Sequence, residues 1–160
     1  MVKRIHNTHI TIPFLYNALQ SDQFKPKGLW YGINFSWLEW MRSEEPQWEG
    51  HLNYLLDIDF THILQLDTVD KILQFSNEYK IEYKDCPHLS AKGSWMNWDL
   101  VASHYDGIEI NPYQWSLRLE LLWYYGWDVA SGCIWNIEAI KEYRLIDLKE
   151  IESQKIIVNI

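Results

Sequence analysis

The stretch KPKGLWYGINFSWLEW, residues 25–40, predicts a tight corner between a strand and a helix. Leu29 to Tyr31 is typical of a short aromatic strand, because bulky flat side chains fit a pleated, half-buried surface. After Phe35 the spacing changes to the 3.6-residue repeat of a helix, with Ser36 as the expected N-cap. The corner carries more flat aromatic surface than packing alone requires, so we expect it to form one wall of a pocket for a flat, partly charged ligand. Its aromatic residues are Trp30, Tyr31, Trp37 and Trp40.

The composition favours a folded, aromatic-rich chain of one domain, residues 1–160. The hydrophobic fraction is 48% and the aromatic fraction 16%, with ten Trp and ten Tyr. Tryptophan-rich surfaces stack on rings, sugars or bases, although large residues can equally fill a small core. The net charge of -8 and the lack of a basic cluster make nucleic acid the less favoured partner.

The sequence carries no sign of secretion, membrane insertion or metal binding. Cys86 and Cys133 lack CxxC spacing, and no N-terminal apolar run resembles a secretory signal. No apolar run reaches the ~20 residues that span a bilayer. His6 and His9 have no acidic or cysteine partner at ligand spacing, so no metal site is predicted. We expect a reduced, cytoplasmic protein.

The order of predicted elements indicates an α+β fold with a mainly antiparallel sheet and short helices. Strands are predicted over 2–12, 29–31, 51–66, 108–110 and 131–135. Helices are predicted from 35, over 69–79 and over 95–104, with a short helical turn over 14–20. Residues 43–50 are predicted as a polar loop, 136–143 as a turn or short helix, and 145–160 as a tail that could add an edge strand, whereas 113–125 remain unassigned.

Three polar residues are candidates for chemistry, and each has a structural alternative. His6 lies on a strand, where a lone imidazole is also a common core residue. Glu109 points away from its apolar neighbours Ile108 and Ile110, either to solvent or into a cleft, where burial would raise its pKa and make it an acid or base. Asp128 has the same two alternatives, because it either faces solvent or lies in a cleft as a possible acid or base.

Four short motifs follow one another along the chain. The first predicted strand holds His-Asn-Thr at 6–8, and Lys-Gly-Leu-Trp-Tyr-Gly at 27–32 precedes the aromatic helix. Tyr-Asp-Gly-Ile at 105–108 follows a helix, and Ser-Gly-Cys-Ile-Trp at 131–135 leads to Ile-Lys at 140–141.

In this order the motifs resemble the ADP-ribosyltransferase superfamily, of the diphtheria-toxin and PARP type that uses a His, a Tyr and an acid. The family has His-Gly-Thr, then Gly-Phe-Tyr-Ser, and a last strand that starts with the catalytic Glu. Two departures from that pattern matter: the family's Ser is Gly32 here, and its Glu falls on Ser131. The acid is then expected from Glu109, on the neighbouring strand, or from Asp128, just before the last one.

The resemblance implies an ADP-ribosyltransferase-like fold and NAD as substrate. His6 would hydrogen-bond a ribose of NAD, and a carboxylate would steady the oxocarbenium-like centre as nicotinamide departs. Tyr31 or Trp30, together with Trp37 or Trp40, would sandwich the charged nicotinamide ring. Glu109→Gln is expected to abolish NAD turnover and to leave NAD binding. The catalytic candidates are Glu109, Asp128 and His6; the NAD-binding candidates are His6, Thr8, Gly28, Trp30, Tyr31, Trp37, Trp40 and Ser131.

The resemblance implies an enzyme that transfers ADP-ribose to a macromolecule, and the acidic charge favours protein over nucleic acid as the acceptor. We expect a small cytosolic enzyme of a bacterium or phage. Three other functions stay open. Water as the acceptor would make the chain an NAD glycohydrolase. A chain whose carboxylates do not reach the pocket would be a non-catalytic binding module, and a tryptophan-rich domain could also bind carbohydrate.

Overall fold

The computed structural model describes residues 2–11, 15–21, 24–81 and 95–149. Its strands are β1 (Arg4–Thr8), β2 (Leu29–Ile33), β3 (Leu52–Ile58), β4 (Ile63–Leu66), β5 (Lys80–Ile81), β6 (Trp95–Met96), β7 (Gly107–Ile110), β8 (Ser131–Ile134) and β9 (Ile140–Leu145). Its α-helices are α1 (Ser36–Glu44), α2 (Val69–Tyr79), α3 (Trp98–His104) and α4 (Leu122–Tyr125). Short 3-10 turns cover Pro46–Trp48, Phe60–His62, Trp115–Leu117 and Ile137–Ala139.

Seven strands form one sheet in the order β4-β7-β8-β2-β1-β3-β9, and β5 pairs with β6 in a separate ribbon. All the neighbours in the large sheet are antiparallel except β4 and β7, which are parallel. The predicted α+β class with a mainly antiparallel sheet and short helices is confirmed. The pairing of β1 with β2 covers two residue pairs, whereas β1 pairs with β3 along five.

Both faces of the sheet are buried. Side chains that lie opposite each other in an antiparallel pair share a face, so Ile108, Cys133 and Trp30 lie together on one side. Three indoles there are fully buried within a cluster of apolar side chains, namely Trp98, Trp123 and Trp127. Part of the tryptophan surplus therefore fills the core.

The predicted corner between β2 and α1 is present, but its capping differs from the prediction. Phe35, not Ser36, is the N-cap residue, and no side chain caps the helix. The Ser36 hydroxyl instead donates a hydrogen bond to the Ala130 carbonyl oxygen at 2.7 Å, which ties the start of α1 to the segment before β8. A Cβ atom on Gly32 would lie 2.6 Å from Trp37 Cβ, so this close packing of strand and helix requires glycine.

The largest difference between prediction and structure concerns residues 51–66. The alternating pattern predicts one strand, but the chain turns at Asp59, whose side chain accepts a hydrogen bond from the Thr61 backbone N–H at 3.0 Å. The two resulting strands are far apart in the sheet: β3 pairs with β1 and β9, and β4 pairs with β7.

Other boundaries also shift. Residues 140–143, predicted as a turn or short helix, belong to the edge strand β9. The predicted loop over 43–50 contains the end of α1 and a 3-10 turn. No helix is found in residues 15–20, and most of the predicted tail strand, like Cys86, lies outside the described residues. Among the residues that are described, every helix is too short or too polar to cross a lipid bilayer.

Candidate functional site

A cavity of about 280 Å³ opens beside the corner of β2 and α1, and we call it the aromatic cavity. Its size is near the lower end of small-molecule sites, which hold ~300–1,000 Å³. It therefore accommodates one ring system with a substituent, and a longer ligand would extend beyond it. The lining residues are His6, Asn7, Lys25, Trp30, Tyr31, Trp37, Trp48, Trp127 and Ser131.

The short pairing of β1 with β2 positions His6 at this cavity. Backbone pairing ends at Ile5 and Gly32, and beyond it His6 Nδ1 lies 2.6 Å from the Trp30 carbonyl oxygen. A carbonyl oxygen can only accept, so Nδ1 carries the proton and Nε2 is the free acceptor. Burial lowers the pKa of His6, while the bond to Trp30 opposes the shift. The imidazole is thus favoured in its neutral form.

Stacked and tilted indoles form the walls. The Trp30 and Trp127 rings are 4.8 Å apart between centroids and tilted by 56°. Trp37 stacks on Trp40 with centroids 4.9 Å apart and planes within 9°. Trp40 is not among the lining residues, and it contacts the cavity only through its stacking on Trp37. Trp48 is 53% exposed at the edge of the cavity.

Lys25 is a cation in this aromatic setting. Its Nζ lies 4.8 Å from the centroid of the Trp30 ring, which is cation–π distance. Burial lowers the pKa of Lys25, and the negative charge of Asp128 acts in the opposite direction. Within the described part of the chain, Lys25 has no ion-pair partner at contact distance.

Asp128 stands between two cations in a strained backbone conformation. Its Oδ1 accepts a hydrogen bond from Arg118 Nη2 at 3.1 Å, and its charge acts on Lys25. Its φ of 45° lies in the left-handed region, which Asp and Asn tolerate better than most residues. Such strain is concentrated at functional sites. Asp128 directly follows Trp127, whose side chain lines the cavity.

Glu109 lies on the face of the sheet opposite Ile108, Cys133 and Trp30, which is the face that also carries Tyr31. It is 5% exposed and receives two hydrogen bonds from Arg4, from Nε at 2.7 Å and from Nη2 at 3.0 Å. The Tyr31 hydroxyl donates a third at 3.0 Å. Burial, followed by the charge of Glu109, raises the pKa of Tyr31 well above 10, so the phenol stays protonated. Since both carboxylate oxygens are occupied, Glu109 acts on the cavity through Tyr31.

The structure therefore brings together part of the predicted site. Five predicted residues line the aromatic cavity, namely His6, Trp30, Tyr31, Trp37 and Ser131. Thr8 and Gly28 line a separate groove of about 620 Å³, which meets the cavity at His6. Glu109, Asp128 and Trp40 are not among the residues that line either space.

Four lining residues were missed from the sequence: Asn7, Lys25, Trp48 and Trp127. Lys25 had a signal, since it is a basic residue at the start of the aromatic stretch. Asn7 had another, because it stands between His6 and Thr8 in the first predicted strand. In the structure its side chain donates hydrogen bonds to Gly50 O at 2.9 Å and to Asn53 Oδ1 at 2.8 Å. Trp48 ends a 3-10 turn and Trp127 lies in a turn between α4 and β8, and no local sequence pattern predicts that either residue lines the cavity.

Within the described residues, no group of three or more His, Cys, Asp or Glu side chains could hold a metal ion. Cys133 is buried and unpaired, and burial raises the pKa of its thiol. Comparison of the chain with protein-family models, with curated proteins and with solved structures finds no match.

Proposed function

We propose that this protein is an NAD-dependent ADP-ribosyltransferase with an ADP-ribosyltransferase-like fold, and that the nicotinamide ring of NAD occupies the aromatic cavity. The observation that carries the proposal is the convergence of His6, Trp30 and Trp37 on one cavity of ring size. These residues lie on two strands and a helix that meet only in the folded chain.

The cavity fits one end of a dinucleotide. An apolar cavity of ~150 Å³ already holds a benzene ring, and this one is about 280 Å³. The ring would pack between indoles, and His6 Nε2 would accept a hydrogen bond from a ribose hydroxyl. The remainder of NAD would extend past His6 along the groove that Thr8 and Gly28 line.

Asp128 is the carboxylate that we assign to the reaction. It follows Trp127, whose side chain lines the cavity, and the described residues provide no hydrogen-bond partner for its Oδ2. The Asp128 side chain does not itself line the cavity, so the proposal requires it to turn from Arg118 toward the bound ribose. As the C1′–N bond breaks, nicotinamide leaves with both bonding electrons, and the carboxylate stabilises the positive charge that forms on the ribose. A nucleophile of the acceptor protein then donates an electron pair to C1′, and its proton passes to the carboxylate.

The test is incubation of the full chain with labelled NAD, read for nicotinamide release and for label transfer to a protein lysate. Asp128→Asn keeps the shape and the left-handed backbone but removes the charge, so we expect release to fall at least 100-fold with NAD binding retained. Asp57→Asn, which changes an exposed carboxylate on β3, is the control. Equal turnover by wild type and Asp128→Asn would remove Asp128 from the reaction.

A non-catalytic binding module is the second candidate, and the contacts of Glu109 favour it. Its carboxylate is committed to Arg4 and Tyr31, so it is not available to a ligand in the cavity. NAD binding without nicotinamide release would support the module. Release without label transfer would indicate an NAD glycohydrolase, with water as the acceptor.

A further inference from the structure

The aromatic cavity contains a cation that the resemblance does not explain. The Lys25 ammonium occupies a face of Trp30, where a positively charged nicotinamide ring would otherwise stack. Two positive charges on one indole repel each other, particularly where aromatic walls exclude water. The site as built therefore favours a ligand that brings a negative charge to Lys25 together with its ring.

The charges around Lys25 do not neutralise it. Asp128 is the carboxylate that acts on it, but Asp128 Oδ1 is bonded to Arg118. His6 is favoured in its neutral form by burial, and the Cys133 thiol stays protonated. A half-buried charge without a close partner costs free energy, which an anion in contact with it would recover.

The same wall holds a second donor without an acceptor. Trp127 is 1% exposed, and its indole N–H has no hydrogen-bond partner among the described residues. Arg118 is already bonded to Asp128, so it does not compete for a ligand in the cavity. Lys25 and Trp127 both line the cavity, but the Trp127 N–H is itself buried, so the Lys25 ammonium is the donor that a ligand in the cavity would meet.

We propose that Lys25 makes the aromatic cavity selective for a flat ring with an anionic group next to it. The anion is a carboxylate on the ring or a phosphate joined to it, and its oxygen contacts the Lys25 ammonium while the ring packs on the indoles. This inference rests on the proposed function only in taking the aromatic cavity as the ligand site.

Two probes of nearly equal shape test the charge. Nicotinate carries a carboxylate where nicotinamide carries an amide, and binding of each to the full chain is measured by calorimetry and by tryptophan fluorescence. A hydrogen bond to a charged partner predicts that nicotinate binds about tenfold tighter or more. Lys25→Gln should reduce this ratio to within about twofold, whereas Lys25→Arg should keep it. Lys71→Gln, at an exposed lysine of α2 that lines neither the aromatic cavity nor the groove beside it, should behave as wild type.

Inorganic pyrophosphate distinguishes the two sources of the anion. If pyrophosphate competes with nicotinate for wild type but not for Lys25→Gln, the site also accepts phosphate. If nicotinate binds selectively and pyrophosphate does not compete, the site is assigned to a ring carboxylate. Thermal unfolding of each variant confirms that it is folded. Equal binding of nicotinate and nicotinamide, or selectivity that survives in Lys25→Gln, would overturn the inference and leave the proposed function standing. No binding of either ring would overturn both.

Discussion

The Tyr31 hydroxyl donates a hydrogen bond to Glu109 Oε2 at 3.0 Å, across the strand that carries Gly132. The phenol passes over the backbone of Gly132, where a side chain would collide with it. Arg4 completes the arrangement from β1, so one buried carboxylate links residues of three strands. A residue that the sequence proposes as an acid thus holds a wall of the cavity in place.

Glu109→Gln is expected to destabilise the protein because it leaves the Arg4 charge without its partner. Breaking a buried ion pair costs ~3–5 kcal/mol; since Arg4 is 19% exposed, we expect a loss of free energy of unfolding near the lower end. Urea denaturation measures it. Glu49→Gln, which breaks the more exposed pair with Arg42, should cost ~0–1 kcal/mol. Equal losses in the two variants would contradict a buried, cooperative role for Glu109.

The expectation that Glu109→Gln abolishes NAD turnover stays a prediction. Turnover must be measured at a temperature where the variant is fully folded, so that lost chemistry is separated from lost structure. If turnover falls with the fold intact, the effect on chemistry acts through Tyr31, which shares the Glu109 carboxylate with Arg4.

Gly132→Ala should displace the Tyr31 ring. The new Cβ would lie 2.3 Å from both Cζ and Oη of Tyr31. Overpacking of this kind costs ~1–3 kcal/mol, measured by thermal or urea unfolding. Ser131→Ala, one residue away on the other face, removes a 3.0 Å hydrogen bond to Val129 O and should cost no more than ~1.5 kcal/mol. Unchanged stability of Gly132→Ala would show that the tyrosine moves freely.

His6 should make stability depend on pH. Burial lowers the pKa of His6 below its ordinary 6.5, so below that pH the unfolded chain binds more protons than the folded one. The free energy of unfolding that neutral His6 contributes is therefore complete above about pH 6.5. It is lost as the pH falls toward the lower pKa of His6 in the folded state. His6→Asn should flatten the change in free energy of unfolding between pH 7.5 and 5.5. The exposed His9→Asn should keep the wild-type profile, and identical profiles for both variants would refute the assignment.

Trp48→Ala should weaken binding of NAD to the cavity with little loss of stability. Trp48 is 53% exposed, and a stacked aromatic pair contributes ~0.5–1.5 kcal/mol, which corresponds to roughly a 2- to 12-fold change in Kd. Calorimetry with NAD measures the Kd. Trp115 is 65% exposed and is not among the residues that line the cavity, so Trp115→Ala is the matched control. A larger effect at Trp115 would move the binding surface away from the aromatic cavity.

The sequence predicts those elements whose signals are local. The bounds of α2 match the prediction, because Thr68 caps the helix and the apolar spacing runs unbroken to Tyr79. The bend at β2 and α1 is predicted from the change of period at Phe35, β7 from the turn signal at Asp106-Gly107, and β8 from its buried, mostly apolar pattern.

The remainder depends on contacts that no local pattern encodes. Alternation continues through Asp59, and only its side-chain bond to Thr61 divides β3 from β4. The environment of Glu109 follows from strand order, since Arg4 is 105 residues away in the chain. Alternation at Ile108–Ile110 correctly places Glu109 opposite two apolar residues, but it does not show that this face is buried too.

Because β1 and β2 pair along only two residues, the sheet consists of two halves joined by a short line of pairing, which we call the seam. One half holds β1, β3 and β9, the other holds the remaining four strands, and the aromatic cavity lies where the seam ends. Opening of the entrance by rotation of one half against the other would separate Tyr31 and Ile33 from Tyr54 and Leu56, which pack in one apolar cluster across the seam. The Arg4–Glu109 ion pair spans the seam, so it limits that opening.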